Sequence, residues 1–145
     1  MKSSYQRAKA MLDQVFSIFI RIRDNRKYGH CVICRNAPIA VCFHFLPRGN
    51  LAVRWEPDNA VGACTACNYH EHMNRGRAYS DERYRDLHIS LIGKERREEL
   101  EKLAKTKFKK STAELVEMKN NLEKILNQGD KQELDQFKGL PEVKS

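Results

Sequence analysis

The sequence predicts an α+β protein that is mostly α: a small cysteine-tied core between an N-terminal helix and a long helical C-terminal extension. Three observations predict it. An apolar stripe with helical period runs through residues 4–25. Residues 28–76 are interrupted by Gly29, Pro38, Pro47, Gly49, Pro57 and Gly62 and hold two Cys-x2-Cys pairs. Helical periodicity then returns from about Ser80. The segments are a basic amphipathic helix at 1–28, a core at 29–93, a helical extension at 94–128 and a polar, frayed tail at 129–145.

In the first helix Leu12, Val15, Phe16, Phe19 and Ile22 recur at three- and four-residue steps, which aligns them on one face. Ser3 and Gln6 have the spacing of a capping box, in which each side chain satisfies the other's backbone N–H. The chain of 145 residues carries a formal charge of +8, and most of the excess lies in residues 1–30. Such a balance favours a polyanionic partner, most often nucleic acid. Arg7, Lys9, Arg21, Arg23 and Arg26 lie mostly off the apolar stripe. They form either a solvated face or a phosphate-facing one, with Arg21, Arg23 and Arg26 as the DNA contacts.

Within the core only Ile39–Phe45 is β-branched and aromatic enough for a strand. A region this broken is expected to need a metal to fold. Cys31-x2-Cys34 and Cys64-x2-Cys67, with 29 residues between the pairs, supply one. Each pair turns the chain so that two sulfurs face one point, and two pairs complete a tetrahedral thiolate site for structural Zn²⁺. Cys42 falls in the strand and is expected to be a buried, small apolar residue. The N-terminal residues lack the apolar core and cleavage site of a signal peptide, and no stretch reaches about 20 apolar residues. A cytoplasmic protein is expected, with metal-bound or free thiols and no disulfides.

After the core, Tyr84, Leu87, His88, Leu91 and Ile92 form a short stripe, and Gly93 is placed to cap its C-terminus. Lys94–Lys105 is highly charged, with Leu100 and Leu103 as its apolar points. Ser111 and Glu114 form a second capping box. Leu115, Met118, Leu122 and Ile125 follow at alternating steps, a stripe that could pack on the domain or on a second copy as a homodimer.

The ordered set "LDQVFSIFIRIRD", the first Cys pair, "HFLPRGN", "VRW", "DNA", "CTACN" and "LIGKE" resembles the NinG/Rap family of lambdoid phage recombination proteins over roughly residues 10–100. The order of Cys pair, His44, Asn59, Cys pair and His72 is similar to the HNH, or ββα-metal, nuclease arrangement. The resemblance implies a phage or prophage protein in a bacterial host, cleaving branched DNA such as Holliday junctions and D-loops. His44 would be the general base, Asn59 would hold the loop or the imidazole, and His72 or Asn74 would bind a catalytic Mg²⁺ or Mn²⁺. The residue types suit phosphodiester hydrolysis, since a near-neutral imidazole can deprotonate water and a divalent ion can neutralise charge at the leaving oxygen. Arg48 and Arg54 are expected phosphate contacts near the hairpin.

The chain departs from the family in two places. Val41 replaces an upstream histidine, and Phe43 precedes His44 where many HNH nucleases carry a metal ligand. His72 and Met73 replace a small Ser-Gly pair, so His70, Glu71 and Asp58 are further candidates for the ion. Asn68 is expected to be a helix N-cap, and Trp55 a core residue. Two other functions stay open. One is a zinc-dependent module that binds branched DNA without cutting it, and the other is a protein whose helical half docks a recombination partner.

Overall fold

The computed structural model describes residues 1–73 and 82–129, with residues 70–73 described through their backbone alone. Helix α1 spans Ser4–Lys27 and opens on the expected capping box: Gln6 N–H donates to Ser3 Oγ at 3.1 Å and Ser3 N–H to Gln6 Oε1 at 2.9 Å. Strand β1, Val41–His44, pairs antiparallel with β2, Ala60–Ala63, placing Val41 opposite Ala63 and His44 opposite Ala60. Single backbone bonds extend the pairing at both ends, Ala40 N–H to the Ala63 carbonyl and Phe45 N–H to the Asn59 carbonyl, each 2.9 Å. The expected strand Ile39–Phe45 is therefore present, with its ends outside the regular ladder.

The connection between the strands contains α2, a single turn at Leu51–Arg54, and a 3-10 turn at Pro57–Asn59. Then come α3 (Thr65–Met73), α4 (Glu82–Ile92), α5 (Lys94–Ala104) and α6 (Thr112–Asn127). Gly93 joins α4 to α5 with φ of +91°, and its N–H closes α4 on the Ile89 carbonyl at 2.7 Å, as a glycine C-cap does. The second capping box forms between Ser111 and Glu114.

Both faces of the hairpin are covered, which is why every residue of both strands is buried. Period-2 alternation sends Cys42 and His44 to one face and Val41, Phe43 and Phe45 to the other. The first face meets α1 and α6 in a core of Leu12, Phe16, Ile20, Trp55 and Leu115. The second meets Tyr84, Leu87 and Leu91 of α4 and the cysteines Cys31, Cys64 and Cys67. Phe43 stacks on Tyr84, and Phe45 lies parallel to the His88 ring with centroids 4.1 Å apart. A third cluster, Leu46, Val53 and Leu100, fixes α5 against α2.

Helix α1 also grips β2 directly. Asp24, buried, accepts the Gly62 N–H at 2.7 Å. A Cβ at Gly62 would lie 2.9 Å from two carbons of Ile39 and 3.3 Å from the Asp24 Cβ, so the close approach requires glycine. The α6 stripe is occupied within the chain. Leu115 is fully buried and Met118 and Leu122 pack on the α1 core, while Ile125 remains exposed. Among the described residues no helix is long and apolar enough to cross a membrane.

Candidate metal centre and hairpin site

Four sulfurs converge where the two cysteine pairs meet. The Sγ atoms of Cys31, Cys34, Cys64 and Cys67 all lie within 4.8 Å of one another. Cys34 Sγ and Cys64 Sγ are 3.9 Å apart. Sulfurs at the corners of a tetrahedron around Zn²⁺, with Zn–S near 2.3 Å, would be about 3.8 Å apart.

Each knuckle is built the same way. Cys34 N–H points at Cys31 Sγ at 3.5 Å, and Cys67 N–H at Cys64 Sγ at 3.4 Å. Arg35, just past the first pair, takes φ of +60° and returns its N–H to the Cys31 carbonyl at 2.9 Å. Backbone N–H groups of Ala37 and then Asn36 draw the Cys34 thiol down to about 6. Burial, followed by the neighbouring sulfurs, pushes the Cys67 thiol up; burial also raises Cys64. Crowded thiols of this kind ionise together when a dication neutralises them, and the donor set fits zinc. Cys42 lies outside the cluster, buried on the α1 face as expected.

His44 ends β1 at the opposite end of the ladder from Val41. Its Nε2 is 2.9 Å from the Arg54 carbonyl oxygen. A carbonyl only accepts, so Nε2 carries the proton and Nδ1 keeps its lone pair. The ring centroid lies 5.9 Å from that of Phe16 on α1, and 8% of the residue's surface is exposed. Burial above all, partly offset by the Arg54 carbonyl and helped by the positive charge of Arg48, lowers its pKa to about 4. The imidazole is thus neutral at neutral pH, but it is a weaker base than the near-neutral imidazole expected from the sequence, because burial disfavours its charged form.

Asn59, 0% exposed, lies beneath the loop that leads away from His44. Its Oδ1 accepts the Leu46 N–H at 2.9 Å, and its Nδ2 donates to the carbonyls of Leu46 at 3.2 Å and Val53 at 3.1 Å. All of these bonds are to loop backbone and none is to the imidazole. Asn59 therefore orders the segment that delivers the Arg54 carbonyl.

The arginines divide sharply. Arg21, expected to face DNA, is 2% exposed, with Nε on the Ser17 carbonyl at 3.2 Å and Nη1 on the Ala40 carbonyl at 3.3 Å. It ties α1 to the chain entering β1. Arg23 brackets Asp24 and donates to the carbonyls of Pro57 at 2.8 Å and Ala60 at 2.7 Å. Of the three, only Arg26 is exposed, because the row off the apolar stripe faces the hairpin and not solvent.

Arg48 and Arg54 instead converge on Asp13, a residue the sequence reading passes over. Arg48 Nη2 is 2.7 Å from Asp13 Oδ2, Arg54 Nε is 2.9 Å from Oδ1, and Trp55 Nε1 is 2.8 Å from Oδ1, with Arg54 Nη2 completing the fork. Burial pushes the Asp13 carboxyl up, but the Arg54 hydrogen bond and both positive charges outweigh it and hold the pKa below the ordinary value. A signal existed: Asp13 and Asp24 are the only acids among the first thirty residues, and both are buried.

Val41 and Phe43 are buried on the α4 face, the side away from His44. The side chains of His70, Glu71 and His72 lie outside the described residues, although α3 carries their backbone, and so does Asn74 entirely. Asp58 is held by Arg96 Nε at 2.7 Å, and its carbonyl accepts from His88 Nε2 at 2.6 Å. Asn68 is not the N-cap of α3: it lies inside that helix, buried, with no hydrogen-bond partner for Nδ2 among the described residues. Trp55 is a core residue, as expected. Comparison of the chain with protein-family models, characterised proteins and solved structures finds no match.

Proposed function

We propose that the protein is a zinc-stabilised, divalent-metal-dependent endonuclease acting on branched DNA, with His44 as the general base. The observation that carries this reading is the state of His44. It stands at the end of a hairpin whose base is next to the four-sulfur cluster, with Nε2–H fixed on the Arg54 carbonyl and Nδ1 left as the proton acceptor. Asn59 fits the supporting role that the HNH resemblance gives it, by ordering the loop.

In this mechanism His44 Nδ1 takes the proton of a water attacking phosphorus. The Arg54 carbonyl holds the ring and stabilises the imidazolium that forms. A divalent ion, when bound, supplies Lewis acidity at the leaving oxygen. His72 and Asn74 are the residues proposed to hold it. Branched DNA as the substrate follows from the resemblance to the NinG/Rap proteins alone. The α6 stripe is used inside the chain, so a homodimer would have to form through other surfaces.

A second reading has an observation of its own. Val41 and Phe43 are apolar and turn to the buried α4 face, so neither supplies the metal ligand that HNH nucleases carry near the base, as a non-cutting DNA-binding module would have it. Incubating zinc-loaded protein with a synthetic four-way junction and Mg²⁺ or Mn²⁺ separates the two. The nuclease reading expects strand cleavage, and the binding-module reading expects a complex without cleavage under either ion.

A further inference from the structure

A cleft of about 430 Å³ opens between the first half of α1 and the loop leading into α2, lined in part by Arg54, the residue whose carbonyl bonds His44. Its polar lining is Lys2, Gln6, Lys9, Asp13, Arg48 and Arg54. Four cations against one carboxylate leave a net charge of +3. The carboxylate belongs to the wall: Asp13 is buried and bonded to both arginines and to Trp55. It therefore organises the guanidinium groups without cancelling the cleft's charge.

Arg54 reaches Asp13 through Nε and Nη2, which turns its Nη1 edge away from the carboxylate. Each arginine side chain keeps 15% of its surface exposed. Gln6 is oriented as well. Its Oε1 accepts the Ser3 N–H of the capping box, so its NH₂ is the end that can donate outward. The result is a set of pre-positioned donors of the kind that suits phosphate, and guanidinium forks match phosphate oxygens in pairs. The cleft also joins the hairpin site through one residue. Arg54 contributes its side chain to the cleft wall and its carbonyl to His44 Nε2.

We propose that this cleft binds a backbone phosphodiester of DNA next to the one being cut, with Arg48, Arg54, Lys2 and Lys9 as its ligands and Asp13 as the positioning residue. The proposal rests on the nuclease reading only for the phrase "next to the one being cut". The binding itself does not require cleavage. It also moves the DNA-facing part of α1 from the Arg21–Arg26 row to the opening turns of the helix.

The test uses the full-length, zinc-loaded protein and labelled duplex and four-way-junction DNA, without added divalent ion, followed by fluorescence anisotropy over a series of salt concentrations. The Lys2→Gln/Lys9→Gln variant removes one cation just before α1 and one in its opening turns. Its affinity should fall about tenfold at low salt, and the slope of log affinity against log salt should shrink by about two. Lys94→Gln/Lys102→Gln, on α5 and outside the cleft, should change neither by a comparable amount. Arg54→Lys keeps a charge beside Asp13 but loses the fork, and should weaken binding while the melting temperature stays near wild type. Inorganic phosphate should displace DNA better than chloride at matched ionic strength, since the donors match phosphate oxygens; phosphate binding combined with an unchanged DNA affinity in the Lys2→Gln/Lys9→Gln variant would make the cleft a small-anion pocket and overturn the proposal.

Equal losses in the cleft and α5 variants would overturn it, as would an unchanged Lys2→Gln/Lys9→Gln variant or a wild type that binds no DNA. Cleft-dependent binding with no cleavage under Mg²⁺ or Mn²⁺ would instead leave the cleft standing and remove the nuclease reading. Cleavage that survives the cleft variant unchanged would do the reverse.

Discussion

Two buried histidines set the protein's behaviour in acid. His44 and His88 both titrate near 4, chiefly because burial disfavours the charged ring. His88 is locked further, with Nε2 on the Asp58 carbonyl and Arg97 Nη1 3.0 Å from Nδ1. In the unfolded chain both would titrate near 6.5, so between those values the unfolded state binds more protons than the folded one. Stability is therefore full above about pH 6.5 and falls as pH drops toward 4, by on the order of 3 kcal/mol per histidine. Imidazole NMR titration should find both rings neutral down to about pH 4, and urea unfolding should show the matching loss. Two rings titrating near 6.5, or a stability that stays flat from pH 7 to pH 4.5, would contradict the buried neutral state.

Asn59→Ala strands the Leu46 N–H and two loop carbonyls. It should lower stability by on the order of 3 kcal/mol, read from denaturant midpoints. Position along the chain singles out His44 and Asn59 as candidates in the sequence. Asp13 stands out in the sequence only as one of two acids among the first thirty residues; its role is not legible, because its partners are 35 to 42 residues away and nothing local announces them.

At the scale of elements, the chain's punctuation is its most readable feature. Ser3 with Gln6, Gly93, and Ser111 with Glu114 all mark true helix ends, since caps are local hydrogen-bonding problems with local solutions. The direction in which a helix faces is not local. The arginine row of α1 reads as a DNA face, yet Arg21 and Arg23 satisfy carbonyls and a buried acid. Arg21→Gln should accordingly act on stability, lowering the melting temperature by several degrees, with DNA affinity unchanged while the protein remains folded. The α6 stripe likewise meets α1 and not a second copy, so Leu115→Ala should destabilise the monomer by about 2–5 kcal/mol.

The convergence of the four cysteines was legible from spacing alone, because a Cys-x2-Cys turn constrains its own geometry. Metal analysis should find about one tightly held zinc per chain. Cys64→Ser should release it and unfold the hairpin region; a folded, zinc-free variant would contradict the assignment.

On the scale of the whole molecule, the hairpin is a thin layer held between two helical walls. Helices α1 and α6 cover the His44 face, and α4 and the cysteine cluster cover the other. The cluster lies toward the Val41 end of the ladder, and His44 stands at the far end, linked through Arg54 to a cleft of positive charge. This division separates what holds the fold from what is proposed to do chemistry, and it makes the central claim testable by removing one side chain. The measurement is cleavage of a four-way junction by His44→Ala, with zinc content and junction binding followed in the same preparation. The account predicts a folded, zinc-loaded protein that binds the junction with near-normal affinity and cuts it roughly 100-fold or more slowly than wild type in Mg²⁺ or Mn²⁺. A His44→Ala protein that cuts as fast as wild type, or a wild type that cuts with neither ion, would contradict it.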